Sequence, residues 1–255
     1  MIRVENLSKS FGNTVALDGV SFEIDKGEIC GYIGPNGAGK TTTVKILTGM
    51  LPPDSGETVV ADIDLKEQPE AVKPLYGYIA ENGVVYESLT ANEYLQFVGR
   101  LHGLEEEEIV KRGSLLLSYF GIRNEADTMM TGYSKGMKQK VIITAAMLHQ
   151  PSLYFFDEPL NGLDAEATLL FKELVRQLAA RGKTVLYCSH LLDTVEKLCS
   201  RIIVLKEGKI IADGNIDSLK TLTKQQNLDE VFTSLTTSEN RLEKTSELLD
   251  QLDSV

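Results

Sequence analysis

"GPNGAGKTT", residues 34–42, decides how the rest of this chain is read. It follows an apolar stretch, "EICGYIG", with the character of a buried strand, and it opens "KTTTVKILTGM", whose apolar residues recur at helical spacing. The spacing is G-x-x-x-x-G-K-[ST]. Gly34, Pro35, Asn36, Gly37, Ala38 and Gly39 form a loop whose backbone N–H groups converge on one anion, with the positive end of a helix behind it. Lys40 is expected to reach the β- and γ-phosphates of a nucleotide. The hydroxyl of Thr41, with Thr42 beside it, is expected to meet Mg²⁺.

A second stretch supplies carboxylates. In "SLYFFDEP" an apolar strand ends on Asp157 and Glu158, and the carboxyl ends of strands are where α/β sheets place ligand chemistry. Asp157 is suited to hold Mg²⁺, through water because magnesium retains part of its hydration shell. Glu158 is suited to polarise a water for in-line attack on a γ-phosphate.

Around these motifs the chain alternates strands and helices. "MIRVENL" and "SFEID" are short strands, and "SGETVV" returns to strand after the first helix. From about 88 to 150 the pattern is helical. "TANE" is a capping box between Thr90 and Glu93, and it places Tyr94, Leu95, Val98 and Leu101 on one face. Beyond 150, "AEATLLFKELVRQLAAR" is an amphipathic helix with Asp164 as N-cap and Gly182 as its stop, and "TVLYCSH" and "RIIVLKEG" are strands. Such alternation predicts an α/β fold with a parallel sheet covered on both faces and a helical insertion.

The 255 residues carry 26 Lys and Arg against 37 Asp and Glu, a net charge of −11. A chain this acidic lacks the basic face a polyanion needs, so nucleic acid is not an expected partner. No apolar run is long enough to span a bilayer, and the first residues lack a signal peptide's apolar core. Cys30, Cys188 and Cys199 form no CxxC pair and are expected to be reduced and buried. The expected location is cytoplasmic.

"GPNGAGKTT", "YSKGMKQK", "FFDEP", "NGLD" and "SH" occur in the order found in ATP-binding-cassette (ABC) ATPases, which the chain resembles over roughly residues 1–220. The resemblance implies a P-loop NTPase (RecA-like) core with an N-terminal antiparallel β subdomain and an inserted helical subdomain. It also implies ATP and Mg²⁺ as ligands, and a homodimer or heterodimer in which the signature segment of one chain closes over ATP held by the other. Ser134 and Gly136 match the serine and second glycine of the L-S-G-G-Q signature; Tyr133, Lys135 and Met137 depart from it. Lys135 either attracts phosphate or points to solvent. His190 matches the switch histidine that contacts the γ-phosphate. Asp164 matches the loop that communicates across the dimer, besides its role as a cap. Phe11 matches the aromatic that stacks on adenine, with a place in the core as the alternative. Glu81 stands where the family usually has a glutamine that touches Mg²⁺ and relays nucleotide state.

The signature spelling is similar to that of exporters whose membrane permease is a separate polypeptide, including multidrug and antibiotic efflux systems. The implied function is ATP hydrolysis that powers solute export, with the chain peripheral on the inner face of the cell membrane. A soluble ABC ATPase, for example in iron–sulfur assembly, is the alternative. Residues 221–255 are read as a C-terminal helical segment. Within it "NLDEVFTSLT" is similar to exporter ATPases, and Leu242, Leu249 and Leu252 are expected on one helical stripe.

Overall fold

The structure, a computed structural model, describes residues 1–236; the stripe of Leu242, Leu249 and Leu252 lies outside the described residues. Two sheets are present. The first is antiparallel, in the order β2-β1-β4-β5, from β1 (Ile2–Phe11), β2 (Thr14–Ile24), β4 (Ser55–Val60) and β5 (Ile63–Asp64). The second has the order β10-β9-β3-β8-β7-β6. Its strands are β3 (Ile29–Ile33), β6 (Tyr76–Ile79), β7 (Leu153–Asp157), β8 (Thr184–Cys188), β9 (Arg201–Lys206) and β10 (Lys209–Asn215). All its neighbours are parallel except β9 and β10.

The continuous apolar runs of β3, β7 and β8 are explained by burial on both faces. Along β7, Leu153 and Phe155 join a core shared with the antiparallel sheet and helix α1 (Lys40–Leu47). Tyr154 and Phe156 point the other way, into a core roofed by helices. Those helices are α2 (Ala91–Leu101), α3 (Glu106–Tyr119), α4 (Lys135–Met147), α5 (Ala165–Ala180) and α6 (Leu192–Leu198). The described residues close with α7 (Ile216–Thr223) and α8 (Leu228–Thr236), which pack on each other, with α8 also against α6.

Local signals act as expected. Thr90 accepts from the Glu93 N–H at 3.1 Å and Glu93 accepts from the Thr90 N–H at 2.8 Å, closing the capping box that starts α2. Asp164 accepts from the Ala167 N–H at 2.8 Å and starts α5. All three cysteines are buried thiols. One expectation fails: Leu101 is 72% exposed. The buried seam of α2 runs through Ala91, Leu95 and Gly99, and Leu101 lies about 240° around the helix from Leu95.

Candidate functional site

The loop between β3 and α1 is fixed by close approach. A Cβ on Gly34 would sit 2.3 Å from the Leu205 carbonyl oxygen of β9. Gly39, the N-cap of α1, has φ +111°, and a Cβ there would meet the Ala16 oxygen at 2.5 Å. Only glycine fits both positions. The buried Lys40 ammonium donates to the carbonyls of Gly34 (2.7 Å) and Pro35 (3.1 Å), so it lies along the loop it serves.

This loop borders a cleft of about 320 Å³ lined by Ala16, Asn36, Gly37, Gly39, Lys40, Thr41, Thr42, Glu81, Asp157 and Glu158. Two stretches 116 residues apart meet in it: the Thr41 hydroxyl donates to Asp157 Oδ2 at 2.9 Å. Asp157 is raised above the usual carboxylate range. Burial is the main cause, and the charges of Glu81 and Glu158 add to it. The Thr41 hydrogen bond and the Lys40 charge pull the other way. The side chains of Thr41, Glu81 and Asp157 offer oxygen donors only, the donor type that suits a hard divalent cation.

Glu158 follows β7 directly. Its φ is +50°, in the left-handed region that glutamate rarely visits, and it is 6% exposed. Both carboxylate oxygens are engaged by the segment after β8. Oε1 accepts from the His190 N–H at 2.8 Å and lies 2.8 Å from His190 Nδ1; Oε2 accepts from the Ser189 hydroxyl at 3.0 Å. The imidazole itself stays 59% exposed.

Ser134 and Gly136 do not line this cleft. Ser134 caps α4, accepting from the Met137 N–H at 3.2 Å, which leaves a helix N-terminus facing outward. The lysines around it form no free basic patch. Lys138 pairs with Glu87 at 2.6 Å and Lys140 with Asp164 at 2.9 Å, while the Lys135 stem lies across Gly162 and its residue is exposed. The N–H of Ala167 and the ammonium of Lys140 hold Asp164 below the usual carboxylate range. Phe11, at the end of β1, is 51% exposed and outside the cleft lining, so it is not a core residue.

Three contributors carry no motif signal of their own. Ser189 is visible in the sequence only as the residue before His190. Gln139 lies between two lysines, yet its amide donates to the Pro159 carbonyl at 2.8 Å and ties α4 to the loop after Glu158. Ala16 reaches the cleft from β2, which local pattern cannot reveal.

Comparison with known proteins agrees with this architecture. Residues 17–161 match the family model described as ABC transporter. The ABC transporter ATP-binding protein NatA of Bacillus subtilis (strain 168) is 38% identical over 240 residues, 92% of this chain and 97% of that protein. The daunorubicin resistance ATP-binding protein DrrA2 of Streptomyces coeruleorubidus is 36% identical over 90% of this chain and 71% of its own length. Among solved structures, an ATP-binding subunit of an ABC transporter superposes with TM-score 0.87 at 35% identity, covering 93% of this chain and all of that one. The dimeric structure of MJ0796, a bacterial ABC transporter cassette, gives TM-score 0.79 at 25% identity over 84% of this chain and 98% of its own. The chain belongs to the ABC transporter family, among its ATP-binding, ATP-hydrolysing proteins.

Proposed function

We propose that this chain drives solute export through a separate membrane permease, and that Glu158 is the general base of its ATPase reaction. The observation that carries the base is the placement of Glu158. Its buried carboxylate borders the phosphate-loop cleft and is held from two sides, so its orientation is set before a water arrives. Lys40 neutralises phosphate charge, and the loop from Gly34 to Gly39, with Thr42, supplies N–H donors. Thr41, Asp157 and Glu81 would hold Mg²⁺, which when bound offsets charge on the β- and γ-phosphates. A neutral His190 that keeps its Nδ1–H on Glu158 has an acceptor at Nε2. It therefore donates to a γ-phosphate only as imidazolium or after leaving Glu158.

Ser134 and Gly136 do not line their own cleft, and their place is at that of a second cassette, identical or related. There the Ser134 hydroxyl and the α4 N-terminus meet the partner's γ-phosphate. Asp164 then lies at the dimer seam, and Phe11 offers an exposed ring for adenine. Residues 1–220 are the ATP-binding domain with its helical insertion, and 221–255 a C-terminal segment. No helix among the described residues is long and apolar enough to cross a membrane. In this proposal the chain sits on the cytoplasmic face, attached through the permease. Drug-resistance names among the relatives support export over the alternative of a soluble, non-transport ABC ATPase.

The test is Glu158→Gln. Hydrolysis falls ~10²–10⁴-fold, the range for loss of a general base, while ATP binding persists. Turnover at the wild-type rate would refute the base. The same variant, purified from native membranes with ATP, carries a polytopic membrane protein with it; soluble companions alone would favour the alternative.

A further inference from the structure

We propose that Ser189 is a positioning residue for ATP hydrolysis, fixing the carboxylate of Glu158 through a hydrogen bond whose direction the fold dictates. This inference rests on the reading of Glu158 as general base. Ser189 is 1% exposed and directly follows β8. Its Oγ accepts from the Leu191 N–H at 3.1 Å, and a backbone N–H can only donate. The hydroxyl proton is thus left for its other close partner, Glu158 Oε2 at 3.0 Å. A serine used only as filler would have no need of this pair of bonds.

The geometry of Glu158 gives the bond its importance. At φ +50° the backbone turns the side chain back towards the end of β8, and the Glu158 N–H is itself tied to the Cys188 carbonyl at 3.0 Å. Oε1 is held by the His190 N–H, which no side-chain substitution removes, and by an imidazole that is largely in solvent. Oε2 has Ser189. With only Oε1 held, the carboxylate is free to pivot about that bond, and the direction offered to a water changes. With both held, it is not. Ser189 is not among the residues lining the phosphate-loop cleft, so the effect belongs to turnover and not to nucleotide affinity.

The experiment uses the purified full-length chain in single-turnover phosphate release, with ATP binding measured separately. Ser189→Ala lowers the hydrolysis rate ~10-fold, the scale of one hydrogen bond to a charged group, with ATP affinity within ~2-fold of wild type. Ser189→Thr, which keeps the hydroxyl, restores most of the rate. In a Glu158→Gln background Ser189→Ala has less than ~2-fold further effect, because the group it positions is already gone. If Ser189→Ala does not fold, Ser189→Cys, of similar size and a weak donor, takes its place with the same expectation.

A Ser189→Ala rate equal to wild type, with Glu158→Gln still slow, overturns the positioning role alone. Independent, multiplying effects of the two substitutions overturn it as well. A Glu158→Gln rate equal to wild type overturns the base and this inference together.

Discussion

His149 gives the fold a defined weakness to acid. Its ring stacks on His102 with centroids 3.7 Å apart and planes 10° from parallel, joining the end of α4 to the end of α2. Nε2 lies 2.9 Å from the Tyr76 carbonyl oxygen of β6, an acceptor, so Nε2 carries the proton of the neutral ring. Nδ1 is buried without a partner. Protonation there places a charge with no acceptor against a second imidazole, in a hollow also lined by Lys73 and three tyrosines. Burial, with the His102 charge adding to it, lowers His149 from 6.5 to about 4. The folded pKa is depressed and the group is a base, so the unfolded chain takes up the proton first as pH falls. Stability is lost from about pH 6.5 downward, and the loss levels off below about pH 4. Between pH 7 and pH 5 linkage gives about 1.8 kcal/mol. The ring's partial exposure screens this to about 1 kcal/mol, a Tm change of about 2–4 °C at this chain length. His102 is lowered by burial in the same direction and adds to it. In His149→Gln the amide can still donate to Tyr76 but does not titrate. Thermal melts of both proteins at pH 7 and pH 5 read the difference: wild type loses more than the variant by about that amount. Parallel losses in the two proteins would mean that His149 is not the source of the acid sensitivity.

Two further substitutions probe the contacts that build the site. Gly34→Ala forces a methyl to within 2.3 Å of the Leu205 oxygen, so the phosphate loop must move. Overpacking of about 1–3 kcal/mol weakens ATP binding about 10–100-fold by calorimetry, and an affinity within twofold of wild type would contradict it. Gln139→Ala leaves the Pro159 carbonyl without its 2.8 Å donor, at a cost of about 1–3 kcal/mol. Its Tm falls by several degrees; an unchanged Tm would show that the tie between α4 and the loop after β7 contributes nothing.

What the sequence discloses divides by range. The phosphate loop is legible because its glycines answer to local sterics and its Lys40 and Thr41 to a fixed register at a helix start. The capping box of α2 and the Asp164 cap are legible for the same reason: donor and acceptor are three residues apart. Leu101 misleads because it continues the row of Tyr94, while the seam follows Leu95. Sheet order is hidden altogether, since strands apolar on both faces look alike whichever neighbours they have. The bonds that orient Glu158 and anchor α4 join residues 31 and 20 positions apart, from types common on any surface. Serine and glutamine declare nothing until the fold buries them.

Those long-range bonds give α4 a particular mechanical place. At its N-terminal end Gly136 approaches the Gly162 oxygen so closely that a Cβ would lie 2.5 Å away. Gln139 holds Pro159, and Lys140 pairs with Asp164. Just beyond its C-terminal end His149 bonds to Tyr76 in β6, the strand that leads to Glu81. One helix is therefore fastened both to the loop following Glu158 and to the strand preceding Glu81, the two acids flanking Asp157 in the cleft. A packed helix shifts as a body and does not bend to absorb sub-ångström displacements. Ser134 caps that same helix, so the residue that starts α4 and the two acids beside Asp157 are joined through one rigid element, by bonds at both of its ends.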